Sequence, residues 1–421
     1  AGVGLAHRRL SIVDLSKEGH QPMTSSSGRY VIAYNGEIYN FRELRTKLES
    51  EDHNLNWRGT SDTEVLLEAI SVWGLENTLK ACNGMFAFAL WDKEDRVLHL
   101  ARDRFGEKPI YYGVLGNTLL FGSELKALRV HPAGRMSIDR SSISLFMRYS
   151  YVPAPYSIYQ NIFKLQPASF VSIPVRENQV TTVGPDSARQ YWSAQEVAEA
   201  GLANQFEGTV EDAIDELDAV MRKAVATRMI ADVPLGAFLS GGIDSSMIVA
   251  MMQAGSEQRV RTFSIGNQLD DYDEAPFAKR VAEQLGTEHV EMYVSPDDSL
   301  NTIPKLPSIY DEPFADSSQI PTTLLSELTR SHVTVSLSGD GGDELFAGYN
   351  RHFLGRNIWN KTRRIPNGAR RLAGKIVSSV PPALVDRIFS ATSFALPRKL
   401  RGQESPGRAL EKIASILSAD T

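Results

Sequence analysis

The stretch Phe238-Leu239-Ser240-Gly241-Gly242-Ile243-Asp244-Ser245-Ser246, FLSGGIDSS, decides how the second half of this chain folds. An apolar run from Val233 to Leu239 leads into it, and a second, from Ser246 to Ala254, leaves it. It therefore reads as a loop between a buried strand and a helix. The alternation continues: strand Val260 to Ile265, helix Glu274 to Leu285 closed by Gly286, strand His289 to Val294, helix Ile320 to Arg330, strand Val333 to Leu337. That pattern predicts an α/β domain with a doubly wound parallel sheet. The glycine loop then falls at the C-terminal end of a parallel strand, where open α/β sheets bind ligands. Gly241 and Gly242 let the backbone approach a bulky anion, while Ser240, Ser245 and Ser246 offer hydroxyls and the helix offers free N–H groups. Taken alone, the same residues also fit a tight turn in which Asp244 or Ser245 caps the helix.

A second glycine loop, VSLSGDGGDELFAGY from Val335 to Tyr349, also follows an apolar strand and precedes a helix, so it is expected on the same sheet edge. Asp340, Asp343 and Glu344 exceed what a phosphate cradle needs; they suit metal ligation or a substrate ammonium group. A polar connection into an acidic helix N-terminus is the alternative.

The first part, to about Pro174, reads mainly as strands. In RYVIAYNGEIYN, Tyr30, Ile32 and Tyr34 alternate with Val31 and Ala33 before Asn35-Gly36, which predicts a turn. Strand pairs are expected around Asp92 to Asp95 and around Gly116-Asn117, with helices at Phe41 to Ser50 and at Thr63 to Trp73. The second helix opens on a Ser61-Asp62-Thr63-Glu64 capping group. Short strands joined by tight turns imply layered antiparallel sheets. The polar stretch from Gly184 to about Glu207 is read as a linker, which sets domains at 1–190 and 208–421.

Bulk properties exclude several classes. The net charge of −6 gives no sign of a nucleic-acid partner, and the basic cluster Arg363-Arg364 with Arg370-Arg371 reads as a solvated helical face. One cysteine, Cys82, rules out a disulfide framework within these residues. No apolar run is long enough to span a membrane and no signal peptide is visible, so a cytoplasmic location is expected.

From the first glycine loop onward the sequence resembles the PP-loop ATP pyrophosphatases, whose SGGxDS pattern is matched at Ser240, Gly241, Gly242, Asp244 and Ser245. These enzymes split ATP between its α and β phosphates. The resemblance implies ATP along Leu239, Ser240, Gly241, Gly242, Asp244, Ser245 and Ser246, with adenine and ribose near Ile265, Ser338 and Gly339. It also implies Mg²⁺ held by Asp244 and Asp343. The first half resembles the class II glutamine amidotransferase domain, an Ntn-hydrolase fold, through HRRLSIVDLS (7–16), NGEIYN (35–40), SDTE (61–64) and RDRFGEKPIYY (102–112). That resemblance implies glutamine held by Arg9 and the following backbone, Leu10, Ser11, Ile12 and Val13, with Asn35, Gly36, Glu37 and Asp62. A guanidinium grips an α-carboxylate in a bidentate fork, carboxylates take the α-ammonium, and Asn35 with Gly36 can stabilise an oxyanion.

The two in this order resemble the glutamine-hydrolysing asparagine synthetases. The resemblance implies conversion of aspartate to asparagine with ammonia from glutamine, through a β-aspartyl-AMP intermediate, releasing AMP and pyrophosphate. Glutamine, ATP and aspartate or another carboxylate are then the partners, without nucleic acid or membrane, and a homodimer is compatible with it. The family's nucleophile is an N-terminal cysteine; the chain opens at Ala1 and Cys82 beside a core strand is no substitute, so both ends read as missing. Asp340 stands where the family places its intermediate-handling acid, a glutamate in bacterial members, and Asp311 to Thr323 is a variant substrate-facing segment. The alternative is therefore an amidotransferase or cyclase that adenylates a sugar acid, β-lactam or peptide precursor. A PP-loop tRNA-modifying enzyme would want a basic surface and cysteines, and a non-enzymatic glutamine or ATP sensor would keep the binding sites alone.

Overall fold

The computed structural model describes residues 2–51, 55–132, 135–176, 183–267, 273–381 and 383–387, with isolated positions at 407, 414 and 417. They group into two compact units, 1–338 and 339–421.

The larger unit begins with an antiparallel region: β1 (Met23–Thr24), β2 (Tyr30–Ile38), α1 (Phe41–Ser50), α2 (Asp62–Trp73), α3 (Leu75–Ala81), β3 (Gly84–Asp92) and β4 (Val97–Arg102). Then follow β5 (Tyr111–Leu115), β6 (Thr118–Gly122), α4 (Leu125–Arg129), α5 (Arg140–Tyr149), β7 (Ile162–Lys164), β8 (Ser169–Pro174) and β9 (Arg189–Gln190). Strands β1-β2-β3-β4-β8-β9 make a six-stranded sheet and β6-β5-β7 a three-stranded one. One face of the larger sheet (Ile32, Tyr34, Phe86, Phe88) is covered by Leu44 and Leu48 of α1 and Leu66 and Leu67 of α2. Its other face (Ala87, Ala89, Leu98, Leu100) packs on Tyr112 of the small sheet. The outer face of the small sheet, Tyr111 and Ile162, is closed by Leu125 and Leu128 of α4. This is the period-2 alternation of strands buried on both faces.

The Asn35-Gly36 turn does not form: β2 runs straight through it, Gly36 pairing with Phe86. At φ +156 a Cβ on Gly36 would stand 2.1 Å from the Met85 carbonyl oxygen, so the glycine is needed for close strand approach rather than for reversal. The capping group before α2 forms by half. Ser61 accepts the Glu64 N–H, but the Glu64 carboxylate turns away to the N–H groups of Arg58 and Gly59. The Gly184–Glu207 stretch, expected to be irregular, carries secondary structure. Arg189 pairs with Phe170 as the edge strand β9, Tyr191 is buried in the core, and α6 (Ala194–Ala203) follows with Ser193 as N-cap. Its polar residues face solvent, which makes an edge strand and a surface helix look like a linker in one dimension.

After α7 (Val210–Arg228) come β10 (Leu235–Phe238), α8 (Ile243–Ala254), β11 (Arg261–Asn267), α9 (Ala275–Leu285) and β12 (Glu288–Val294). They are followed by α10 (Pro296–Thr302), α11 (Leu306–Ile309), α12 (Gln319–Arg330) and β13 (Val335–Leu337). All pairings are parallel, in the order β12-β11-β10-β13. Strand β10 is where the order reverses: the chain steps from it to β11 and β12, then returns to its other side as β13. Ala237 and Leu239 pack against Val249 and Met252 of α8 and Ala278 and Ala282 of α9.

In the smaller unit, α13 (Gly342–Phe346), α14 (Asn350–Thr362) and α15 (Asn367–Ser378) follow in sequence. Arg370 corrects the expectation of a fully solvated basic face. It is 2% exposed, with its guanidinium 4.7 Å from the Trp359 ring centroid, a cation–π contact between α15 and α14.

Candidate functional site

The crevice at the C-terminal end of β10 is the topological switch point of the parallel sheet. Helix α8 starts three residues earlier than its apolar run suggests, at Ile243, with Gly242 as N-cap, so neither Asp244 nor Ser245 caps it. Among the described residues no side chain caps its first N–H groups, and Asp244 and Ser245 lie in the first turn. The loop is braced from within: the Ser245 hydroxyl accepts from the Ser240 N–H at 3.2 Å and lies 2.9 Å from the Ser240 hydroxyl, which accepts from the Gly242 N–H. Gly241 has φ +80 and sits against α9, where a Cβ would come within 2.7 Å of the Ala278 nitrogen and the Phe277 carbonyl carbon. Leu239 is buried and anchors the loop through its N–H to the Phe263 carbonyl. The Ser246 hydroxyl is buried with no partner among the described residues. A helix N-terminus, a glycine turn and an unsatisfied hydroxyl are together the kind of donor set that suits a polyanion.

Farther along this edge, a cavity of about 440 Å³ opens where β11 and β12 end, lined by Ile265, Gly266, Glu274, Val294, Ile320 and Pro321 among others. Ser338 follows β13 on the edge where β10 ends, while Gly339, Asp340 and Asp343 belong to the smaller unit. There Gly348 packs on the Asp343 carboxylate and donates its N–H to the Asp343 carbonyl. Among the described residues no three His, Cys, Asp or Glu side chains gather as a metal site. Asp244, in the first turn of α8, is a carboxylate of the kind that suits Mg²⁺, because that ion takes one or two carboxylates and fills the rest of its shell with water and substrate phosphate.

The second candidate site lies in the antiparallel region. Arg9 is held by its own loop, donating through Nη2 to the carbonyls of Val13 and Asp14, both at 2.8 Å, with Gly19 against its guanidinium. Leu10 points to solvent, whereas Ser11, Ile12 and Val13 are half-buried. Asp62, the first residue of α2, is buried; its Oδ2 accepts from the Tyr34 hydroxyl at 3.0 Å and the Ile38 N–H at 2.9 Å, and its Oδ1 from the Thr63 N–H. Burial raises the Asp62 carboxyl, against these bonds and the nearby positive charge of Arg9. Asn35 donates to the Ser123 hydroxyl, and Glu37 follows two positions along β2. Burial, reinforced by Asp62, pushes the Glu37 carboxyl up to about 7, and its Oε1 has no partner among the described residues. Asp62 thus lies within electrostatic reach of both Arg9 and Glu37, which gives a guanidinium and two carboxylates of a kind suited to an α-amino acid. Cys82 is buried, its thiol pushed up to about 12, and it is structural.

Several residues escaped the sequence reading. Tyr34 and Gln21 orient the site: the Gln21 side-chain carbonyl accepts the Tyr34 N–H at 2.7 Å. Asp14, at φ +60, accepts from the Thr60 N–H, the Ser16 N–H and the Ser16 hydroxyl. From α7, Arg228 stacks on Tyr39 at 4.3 Å and its charge opposes the rise at Glu37. The signals were an aspartate followed two residues later by serine, and a tyrosine in a strand; neither pattern is specific.

Sequence comparison places residues 1–192 in the glutamine amidotransferase domain family and residues 216–415 in the asparagine synthase family. A putative glutamine-hydrolysing asparagine synthetase 2 from Methanocaldococcus jannaschii is 37% identical, over 89% of this chain and 72% of its own length. Asparagine synthetase [glutamine-hydrolyzing] 1 from Bacillus subtilis is 35% identical over 91% of this chain, which spans 57% of that relative. A putative counterpart from Mycobacterium tuberculosis is 34% identical, with 91% and 58% covered. Among the described residues no helix is long and apolar enough to cross a membrane. On these matches and this architecture, the chain belongs to the family of glutamine-hydrolysing asparagine synthetases.

Proposed function

We propose that this chain carries the glutamine-binding and ATP-binding parts of an ATP-dependent ligase that makes asparagine from aspartate. The observation that carries the reading is the SGGIDSS loop at the switch point, where uncapped N–H groups and the orphan Ser246 hydroxyl await a polyphosphate. ATP is a substrate: its phosphates lie along Ser240, Gly241, Gly242, Asp244, Ser245 and Ser246, and its nucleoside reaches toward Leu239, Ile265, Ser338 and Gly339. Backbone donors fixed before the substrate arrives need no reorganisation as charge builds on the leaving pyrophosphate. Asp244 and Asp343 would hold Mg²⁺, which neutralises phosphate charge. A carboxylate is a poor electrophile with a poor leaving group. It therefore attacks the α-phosphorus of ATP, expels pyrophosphate, and as the acyl-adenylate yields AMP to ammonia. Asp340 sits in the loop that would handle this intermediate.

At the other site Arg9 takes the glutamine α-carboxylate with the backbone of Leu10, Ser11, Ile12 and Val13 around it. Glu37 and Asp62 take its ammonium, and Asn35 with Gly36 faces the side-chain carbonyl. The layered antiparallel region corresponds in this reading to an Ntn-hydrolase-type glutaminase, and the domains to 1–190 and 208–421.

The test supplies the protein with ATP, Mg²⁺ and ammonium and measures pyrophosphate together with amide product for aspartate and for other carboxylates. Aspartate-dependent pyrophosphate matched by asparagine is the expected result. Pyrophosphate released only with a sugar acid or a cyclisable precursor would overturn the aspartate assignment and favour the related amidotransferases. Glutamine bound without any pyrophosphate release would leave a sensor.

A further inference from the structure

Three residues before β10, Asp232 clasps the loop that holds Arg9. Its backbone N–H donates to the Ile12 carbonyl at 2.8 Å and its Oδ2 accepts the Asp14 N–H at 2.8 Å. These two bonds flank Val13, whose carbonyl, with that of Asp14, fixes the Arg9 guanidinium. Asp14 is the hub of the arrangement. Its backbone is left-handed at φ +60, a conformation that costs a non-glycine residue energy and persists where surrounding bonds impose it. Its carboxylate reaches the Thr60 N–H at 2.8 Å, one residue before the Ser61 cap of the helix that begins at Asp62. One side chain from the segment that precedes β10 thereby completes a bond network that ends on both Arg9 and the start of the Asp62 helix.

We propose that Asp232 is a positioning residue of the amino-acid site, supplied by the segment that leads into the nucleotide-binding sheet. This rests on the assignment of glutamine to Arg9, Glu37 and Asp62. Without the Oδ2 bond, the Asp14 N–H loses its partner and only the Asp232 N–H to the Ile12 carbonyl still ties the loop on that side, so the left-handed turn loosens and the Val13 carbonyl drifts from the guanidinium. Arg9 then meets the ligand carboxylate from a loop with several conformations instead of one.

The experiment measures glutamine and ATP binding by calorimetry on the chain and on Asp232→Ala and Asp232→Asn, with thermal melts of each. An asparagine side-chain oxygen can still accept the Asp14 N–H, so D232N should bind glutamine near the wild-type level. D232A loses a charge-assisted bond and should weaken glutamine about tenfold while ATP affinity stays unchanged. Unchanged glutamine affinity in D232A would overturn the proposal. So would equal losses of glutamine and ATP with a lowered melt, which would mean that Asp232 serves the fold as a whole. A wild-type chain that binds ATP but no glutamine would instead overturn the site assignment on which the proposal stands.

Discussion

Replacing Gly241 by alanine tests whether the glycine loop is shaped by necessity. The residue sits at φ +80, where a side chain costs about 1–2 kcal/mol. The new Cβ would also stand 2.7 Å from the Ala278 nitrogen and the Phe277 carbonyl carbon, 2.8 Å from the Phe277 Cβ. These are mostly backbone atoms at the start of α9, which cannot swing aside, so overpacking adds about 1–3 kcal/mol. Together they predict a loss of ~2–5 kcal/mol, lowering the melting midpoint by ~5–15 °C. The neighbouring Gly242→Ala is the control. Its φ is −71 and the nearest contact of an added Cβ is the Ser240 hydroxyl at 3.3 Å, so only the N-cap preference is lost, about 1 kcal/mol or less. Differential scanning calorimetry of both variants, with and without ATP, reads the contrast. Equal melts for G241A and G242A would refute the geometric reasoning. ATP-induced stabilisation that survives in G241A would remove the loop from the nucleotide site.

Three other outcomes follow from the same contacts. Because burial raises the Glu37 carboxyl to about 7, folding favours its neutral form; that share of stability is present below the ordinary carboxylate range and fades as pH rises through 7. Binding an ammonium needs the charged form, so glutamine affinity should climb up to tenfold per pH unit below 7 and level off above it, whereas Glu37→Gln should give a flat profile by calorimetry. Ser246→Ala removes an unsatisfied buried hydroxyl, so the unliganded melt should hold or rise by about 1 kcal/mol of stability while ATP binds several-fold more weakly. Glu312 pairs with Lys164, side chains 9% and 16% exposed, and accepts the Ile158 N–H; Glu312→Ala strands a buried ammonium and should cost ~3–5 kcal/mol in urea unfolding, much of it recovered when Lys164→Met is added.

The alternating half was legible because short segments rich in apolar, β-branched and aromatic residues alternate with helical segments across loops that contain glycine or polar residues. The reversal at β10 was not, since strand order is set by which crossover returns, and no local residue encodes it. Asn35-Gly36 misled for a related reason. A glycine in a strand and a glycine in a hairpin leave the same letters, and only the approach of the Met85 carbonyl tells them apart. Arg9, Glu37 and Asp62 could be named through resemblance, but Asp14, Gln21 and Asp232 act through backbone groups distant in sequence, which residue type alone does not reveal. The secondary structure within 184–207 was hidden in the sequence because its strand contributes two residues to the sheet edge and its helix buries none.

The parallel sheet also fixes a schedule. Strands β10, β11 and β12 emerge from the ribosome as neighbours, yet the strand that flanks β10 on its other side is made only after everything through α12 has been translated. During that interval the SGGIDSS loop protrudes from an edge strand, with one row of backbone groups open to pairing by any passing chain. Nascent protein stalled before Val335 should therefore be a client for chaperones that shield strand edges. Arrival of β13 closes that edge and completes the crevice in one event, so the exposed edge is protected at the moment the proposed nucleotide site takes shape.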